Sequence, residues 1–141
     1  MAGSSRQELK DRIDAIEESY EFMLAYAAQG LSTDQASKSG AQLREFLGRT
    51  QDALGRLTDL FEAVVQEEGL GSDPAYADFI EVLRADAHKA SAAVRLTLAQ
   101  PAIGSQLVDN LNASIHLRAL LTDIFLLDEV IEPRSTASAS T

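Results

Sequence analysis

The stretch LVDNLNASIHLRALLTDIFLLDEVI, residues 107–131, decides the fold class. Fifteen of its twenty-five residues are Ala, Val, Ile, Leu or Phe. It lacks the strict alternation of a half-buried strand. It also falls short of a membrane span, because Asp123 interrupts its densest apolar part, Ala119–Leu127. On a wheel of 100° per residue its apolar side chains cover nearly every angle except one strip holding Asp109, Asn112, His116 and Asp123. The spacing predicts a helix over about Ser105–Glu132, stopped by Pro133. A helix that is apolar almost all round is enclosed by neighbours, either at the centre of a bundle or shared between subunits of an oligomer.

Three segments upstream carry the same period. From about Ser5 to Gln29, Leu9, Ile13, Ile16, Tyr20, Met23 and Ala27 follow one another at spacings of 4, 3, 4, 3 and 4, a heptad seam. Ser5 with Glu8 reads as a capping box at its start, and Gly30 as its left-handed C-terminal stop. The second segment opens on Ser32-Thr33-Asp34-Gln35, also read as a capping box, and reaches about Glu68 before Gly69. Its face is Leu43, Phe46, Leu47, Leu54, Leu57, Phe61, Val64 and Val65. At 1.5 Å per residue it would exceed the first helix by about 15 Å. It is therefore expected to kink near Gly40 or Gly48, or to project past the bundle. The third segment begins at Asp73-Pro74, an N-cap followed by Pro at the first helical position, and ends before Pro101. Tyr76, Ile80, Leu83, Ala87, Ala90, Val94 and Thr97 form its seam.

Short connections between these segments favour antiparallel neighbours. The expected fold is all-α, an antiparallel up-and-down four-helix bundle over residues 1–132, with a long second helix and a disordered Ser/Thr/Ala-rich tail over residues 133–141. At 141 residues, one hydrophobic core is sufficient.

Composition excludes several chemistries. There is no Cys, so disulfides, thiolate metal sites and Cys nucleophiles are out. The formal net charge of −10 opposes binding to nucleic acid and to anionic lipid. Neither of the two His residues has Glu three positions before it: Ala85 precedes His88 and Ala113 precedes His116. A di-iron bundle built on Glu-x-x-His is therefore not expected. No Gly-x-Ser-x-Gly elbow or phosphate-cradling Gly loop is present. Adjacent carboxylates such as Glu17-Glu18 and Glu67-Glu68 point about 100° apart on a helix and do not converge. The expectation is a protein with no catalytic residue, no metal and no cofactor. The absence of a basic-then-apolar leader points to the cytoplasm, and the Ala- and Arg-rich usage to a GC-rich bacterial source.

Three residues stand out as an interaction surface. Phe22 and Tyr26 form an i, i+4 aromatic pair opposite the seam of the first helix. Arg118 shares an angle with Leu107, Leu111, Leu121 and Phe125. There its stem either snorkels outward or its guanidinium meets a partner. The expected function is a non-enzymatic helical interaction module, an accessory, scaffold or regulatory subunit. Its partner would be a second copy of itself, giving a homodimer, or alternatively another protein. A bundle enclosing an apolar small molecule is the first alternative. A His phosphotransfer bundle using His88, with Arg84 and Lys89 beside it, is the second.

Overall fold

The computed structural model describes residues 2–35 and 37–131, with side chains from residue 4 onward. Its regular structure is entirely helical among the described residues: α1 (Ala2–Ala28), α2 (Lys38–Glu67), α3 (Pro74–Leu98), α4 (Ser105–Ala113) and α5 (Ile115–Val130). The expected tail over residues 133–141 lies outside the described residues. α1 packs along α2 and against α4, α2 packs on α3, and α3 packs on α5.

The seams read from the periodicity form the core. Leu9, Ile13, Ile16 and Met23 of α1, Leu43, Leu47, Leu57 and Phe61 of α2, and Ile80, Leu83, Ala90 and Val94 of α3 are all buried. Tyr20, Ala27, Phe46 and Tyr76 sit half-buried at the margins of the same stripes. Gly30 and Gly69 close α1 and α2 with φ of 68° and 73°, conformations that a Cβ disfavours. Asp73 caps α3 by accepting the Ala75 N–H at 2.9 Å, with Pro74 at the first helical position.

Three expectations are corrected. First, α1 begins before Ser5, so the Ser5/Glu8 capping box does not form. The Ser5 hydroxyl donates to Glu67 at 3.1 Å, and Glu8 pairs with Arg12 and Arg56. Second, α2 begins at Lys38 rather than at Ser32. Its N-cap is Ser37, whose hydroxyl accepts the Gly40 N–H at 2.9 Å. Asp34 is withdrawn from the expected cap because Arg44 and the Ile103 amide bind it in the interior. α2 then has 30 residues against 27 in α1, and the expected overhang of about 15 Å falls to about 4.5 Å. It runs as one helix through Gly48 and Gly55.

Third, the last segment is two helices rather than one. Ser114 takes φ −59°, ψ 136°, an extended conformation, and its hydroxyl accepts the N–H groups of His116 and Leu117 to start α5. Ser readily leaves a helix to cap the next one, since its hydroxyl competes for backbone partners. The break re-aims the chain. α4 turns Val108 and Leu111 into the core on α1, while α5 turns Leu117, Leu120, Ile124 and Leu127 into the core on α3. The all-round apolar wheel of the unbroken segment is the superposition of two differently oriented faces.

Candidate functional site

A polar knot at one end of the molecule accounts for part of the expected interaction surface. The Arg44 guanidinium donates to Asp34, to the Leu98 carbonyl at 3.2 Å and to the Gln100 carbonyl at 2.9 Å. A cation is thereby placed on the carbonyl-rich C-terminus of α3. The Asp34 carboxyl is held below the usual carboxylate range, chiefly by Arg44, against the opposing effect of burial and with help from the Ile103 N–H. Ser105 accepts the Leu31 N–H at 2.9 Å and donates to the Tyr26 carbonyl at 2.6 Å. The Tyr26 hydroxyl donates to the Ile103 carbonyl at 2.7 Å.

Tyr26 is consequently 0% exposed and offers no surface to a partner. Phe22 is half-buried, stacked on Phe46 of α2 with ring centroids 4.7 Å apart and on Tyr26 at 6.5 Å. The aromatic pair that stood out in the sequence is thus covered largely from within the chain, by α2 and by the connection before α4.

Arg118 lies elsewhere. It is exposed on α5, neither buried nor paired with a carboxylate among the described residues. The same helix carries four uncovered apolar side chains. Ile115 is 75% exposed, Phe125 55%, Leu126 49% and Val130 47%. Leu126 and Val130 also line a largely apolar cleft of about 330 Å³ against Tyr76 and Phe79 of α3. α5 packs chiefly on α3 and more lightly on α4, and these partners leave its opposite side open. The near-continuous apolar run 115–131 carried this signal in the sequence, where it was read as a helix either central to the bundle or shared between subunits.

The two His residues are both exposed. His88 borders a polar groove of about 310 Å³ between α2 and α3, shared with Thr58, Asp59 and Ser91. Arg84, the cation expected to serve it, is bound by Glu62 and Glu81, each at 3.2 Å. The described residues contain no group of three His, Cys, Asp or Glu that could hold a metal. None of the described helices is long and apolar enough to cross a membrane.

One titratable group escaped the sequence reading. Asp123 is 5% exposed and turns toward Asp86 of α3, and its Oδ2 has no hydrogen-bond partner. Burial first, and the neighbouring Asp86 second, push its carboxyl up to about 7. Asn112 on α4 is likewise buried with neither amide atom hydrogen-bonded. Both residues stood on the polar strip of the unbroken wheel. The break at Ser114 divides that strip: Asn112 and Asp123 are buried, while Asp109 and His116 stay exposed.

Comparison with protein-family models, with curated protein sequences and with solved structures finds no match to this chain.

Proposed function

We propose that this protein is a non-enzymatic helical interaction module that self-associates through the outer face of α5, serving as an accessory, scaffold or regulatory subunit in the cytoplasm. Its helices would follow one another up and down as an antiparallel bundle of four arms, the fourth divided at Ser114. The observation that carries the reading is the set of four large apolar side chains, Ile115, Phe125, Leu126 and Val130, left in water on one helix. Uncovered apolar surface forgoes about 25 cal/mol per Å², and large apolar side chains gathered on one exposed helix are a common feature of contact surfaces. Two-fold closure on an identical patch is the commonest way to cover one. The net charge of −10 keeps such an assembly soluble.

Light scattering tests the reading. The expected species has twice the 15.2 kDa chain mass at about 100 µM, and Phe125→Glu reduces it to the single chain with helicity retained. A 15.2 kDa species at all concentrations would overturn self-association. The cleft beside Tyr76 and Phe79 supports a second reading, an apolar small molecule seated between α3 and α5. Native mass spectrometry of the purified protein would show that molecule as added mass.

A further inference from the structure

We infer that α5 pairs antiparallel with α5 of a second copy, in the register that sets Arg118 against Glu129 of the partner subunit. The inference rests on the self-association proposed above and specifies its geometry.

Ile115, Arg118, Thr122, Phe125 and Glu129 follow one another at spacings of 3, 4, 3 and 4. All five are exposed, so the outer side of α5 carries a mixed apolar and charged stripe at heptad spacing, with no helix against it among the described residues. The stripe has one cation and one anion, eleven residues apart. That is three turns, about 16.5 Å, so both charges stand on the same stripe. Neither makes an ion pair among the described residues.

Heptad geometry allows a few antiparallel registers, and the charges select one of them. In antiparallel knobs-into-holes packing, the first-type seam positions of one helix meet the second-type positions of the other. Ile115, Thr122 and Glu129 are of the first type; Arg118 and Phe125 are of the second. Centring the two-fold axis between Asp123 and Ile124 pairs Thr122 with Phe125 of the partner subunit. The same step pairs Glu129 with Arg118 of the partner subunit, and each pair occurs twice because the interface is isologous. This register sets each Phe125 ring on Thr122 of the partner subunit and neutralises all four charges of the stripe, while Ile115 lies past the end of the paired segment.

The competing arrangements fail on the same residues. A parallel pair would oppose Arg118 to Arg118 and Glu129 to Glu129. Slipping the antiparallel pair by one seam step sets Phe125 against Glu129 of the partner subunit in one direction. In the other it sets Ile115 against Phe125 of the partner subunit but leaves Arg118 opposite Thr122 of the partner subunit and Glu129 beyond the partner helix, so no charge is paired. Charge also identifies the occupant. The chain as a whole carries −10, which repels a second copy, yet this stripe is balanced and symmetric about its own centre. A surface complementary to itself suits an identical partner.

Charge exchange tests the inference. Arg118→Glu and Glu129→Arg are surface changes on an otherwise intact helix. Each alone is expected to weaken self-association about tenfold or more, measured by sedimentation equilibrium, because two attractive pairs become repulsive ones. Mixing the two variants in equal amounts restores wild-type affinity as a mixed dimer, since every contact again joins opposite charges. The chain carrying both changes restores it as a homodimer. If wild type dimerises and Phe125→Glu dissociates it, but the charge variants behave as wild type alone and mixed, the antiparallel register is wrong and the α5 contact face stands. If wild type is monomeric, or Phe125→Glu leaves the dimer intact, both fall.

Discussion

The Asp34 carboxylate accepts the Ile103 backbone N–H at 2.7 Å, so one acid in the connection after α1 holds the connection before α4. The same carboxylate binds Arg44, whose other nitrogens satisfy the last carbonyls of α3. Removing it leaves a buried N–H without its acceptor and the guanidinium without its carboxylate partner. Asp34→Ala is expected to lower stability by about 3 kcal/mol in urea unfolding. The pH dependence has a defined sign. A carboxyl held below its unfolded value of 3.8 stabilises the fold above that value, and the stabilisation is lost as pH falls through the lower folded value. Asp34→Ala should therefore flatten the acid limb of the stability curve below about pH 4.

Asp123 has the opposite sign. Its carboxyl titrates near 3.8 in the unfolded chain and about 7 in the folded one. Between those values the folded state binds the extra proton, so stability falls as pH rises through the window and the loss is complete above it. Asp123→Asn supplies the neutral form at every pH. Thermal unfolding should show a flatter profile from about pH 5 to 8 and a variant more stable than wild type by about 1–3 kcal/mol at the upper end. A profile matching wild type would show that Asp123 is solvated in the folded protein.

Two glycines of α2 should respond oppositely to Ala. At Gly40 a Cβ would overlap the Asp34 carbonyl, where the connection crosses the first turn of the helix. Gly40→Ala must displace that backbone, and it should destabilise by about 3 kcal/mol and disturb the Asp34 contacts with it. At Gly48 a Cβ meets nothing within 4 Å. Gly48→Ala should stabilise by about 0.5–1 kcal/mol, the ordinary advantage of Ala inside a helix. Denaturation midpoints of the two variants give the comparison.

Tyr26→Phe separates folding from association. It removes the donor to the buried Ile103 carbonyl and is expected to cost about 1–3 kcal/mol in stability. The oligomeric state should be unchanged, because the ring is already enclosed within the chain. Loss of the dimer in folded Tyr26→Phe protein would return the contact surface to α1.

Ser114→Ala removes the hydroxyl that accepts the first two N–H groups of α5. The expected loss is about 1 kcal/mol, typical for an N-cap, with helicity by circular dichroism nearly unchanged.

Much of the fold is legible in the residues alone. The heptad spacing Leu9 to Met23, the alternation Ile80 to Val94 and the Leu/Phe face of α2 each place a buried stripe correctly. Periodicity and burial are two expressions of the same helix geometry. Gly30, Gly69 and Asp73-Pro74 mark helix ends for equally local reasons, left-handed backbone and a missing N–H. The site was less legible. Phe22 and Tyr26 stood out as surplus apolar surface, because a wheel cannot show that Phe46 and the Ile103 connection lie against them.

The sequence by itself determined an all-helical chain, the stripe each helix buries, and an apolar excess in residues 107–131 larger than one bundle seam needs. The tertiary structure decided where that excess goes. Ser32–Gln35 and Ser114 are both plausible caps by composition. Only the contacts of Asp34 with Arg44 and Ile103, residues distant in the chain, withdraw the first from a helix start. The packing of α4 on α1 and α5 on α3 makes the second a true break. Local propensity differs between such choices by about 1 kcal/mol or less. The burial of an ion pair, an amide and several side chains outweighs it, and that balance leaves Phe125 in water and Tyr26 inside.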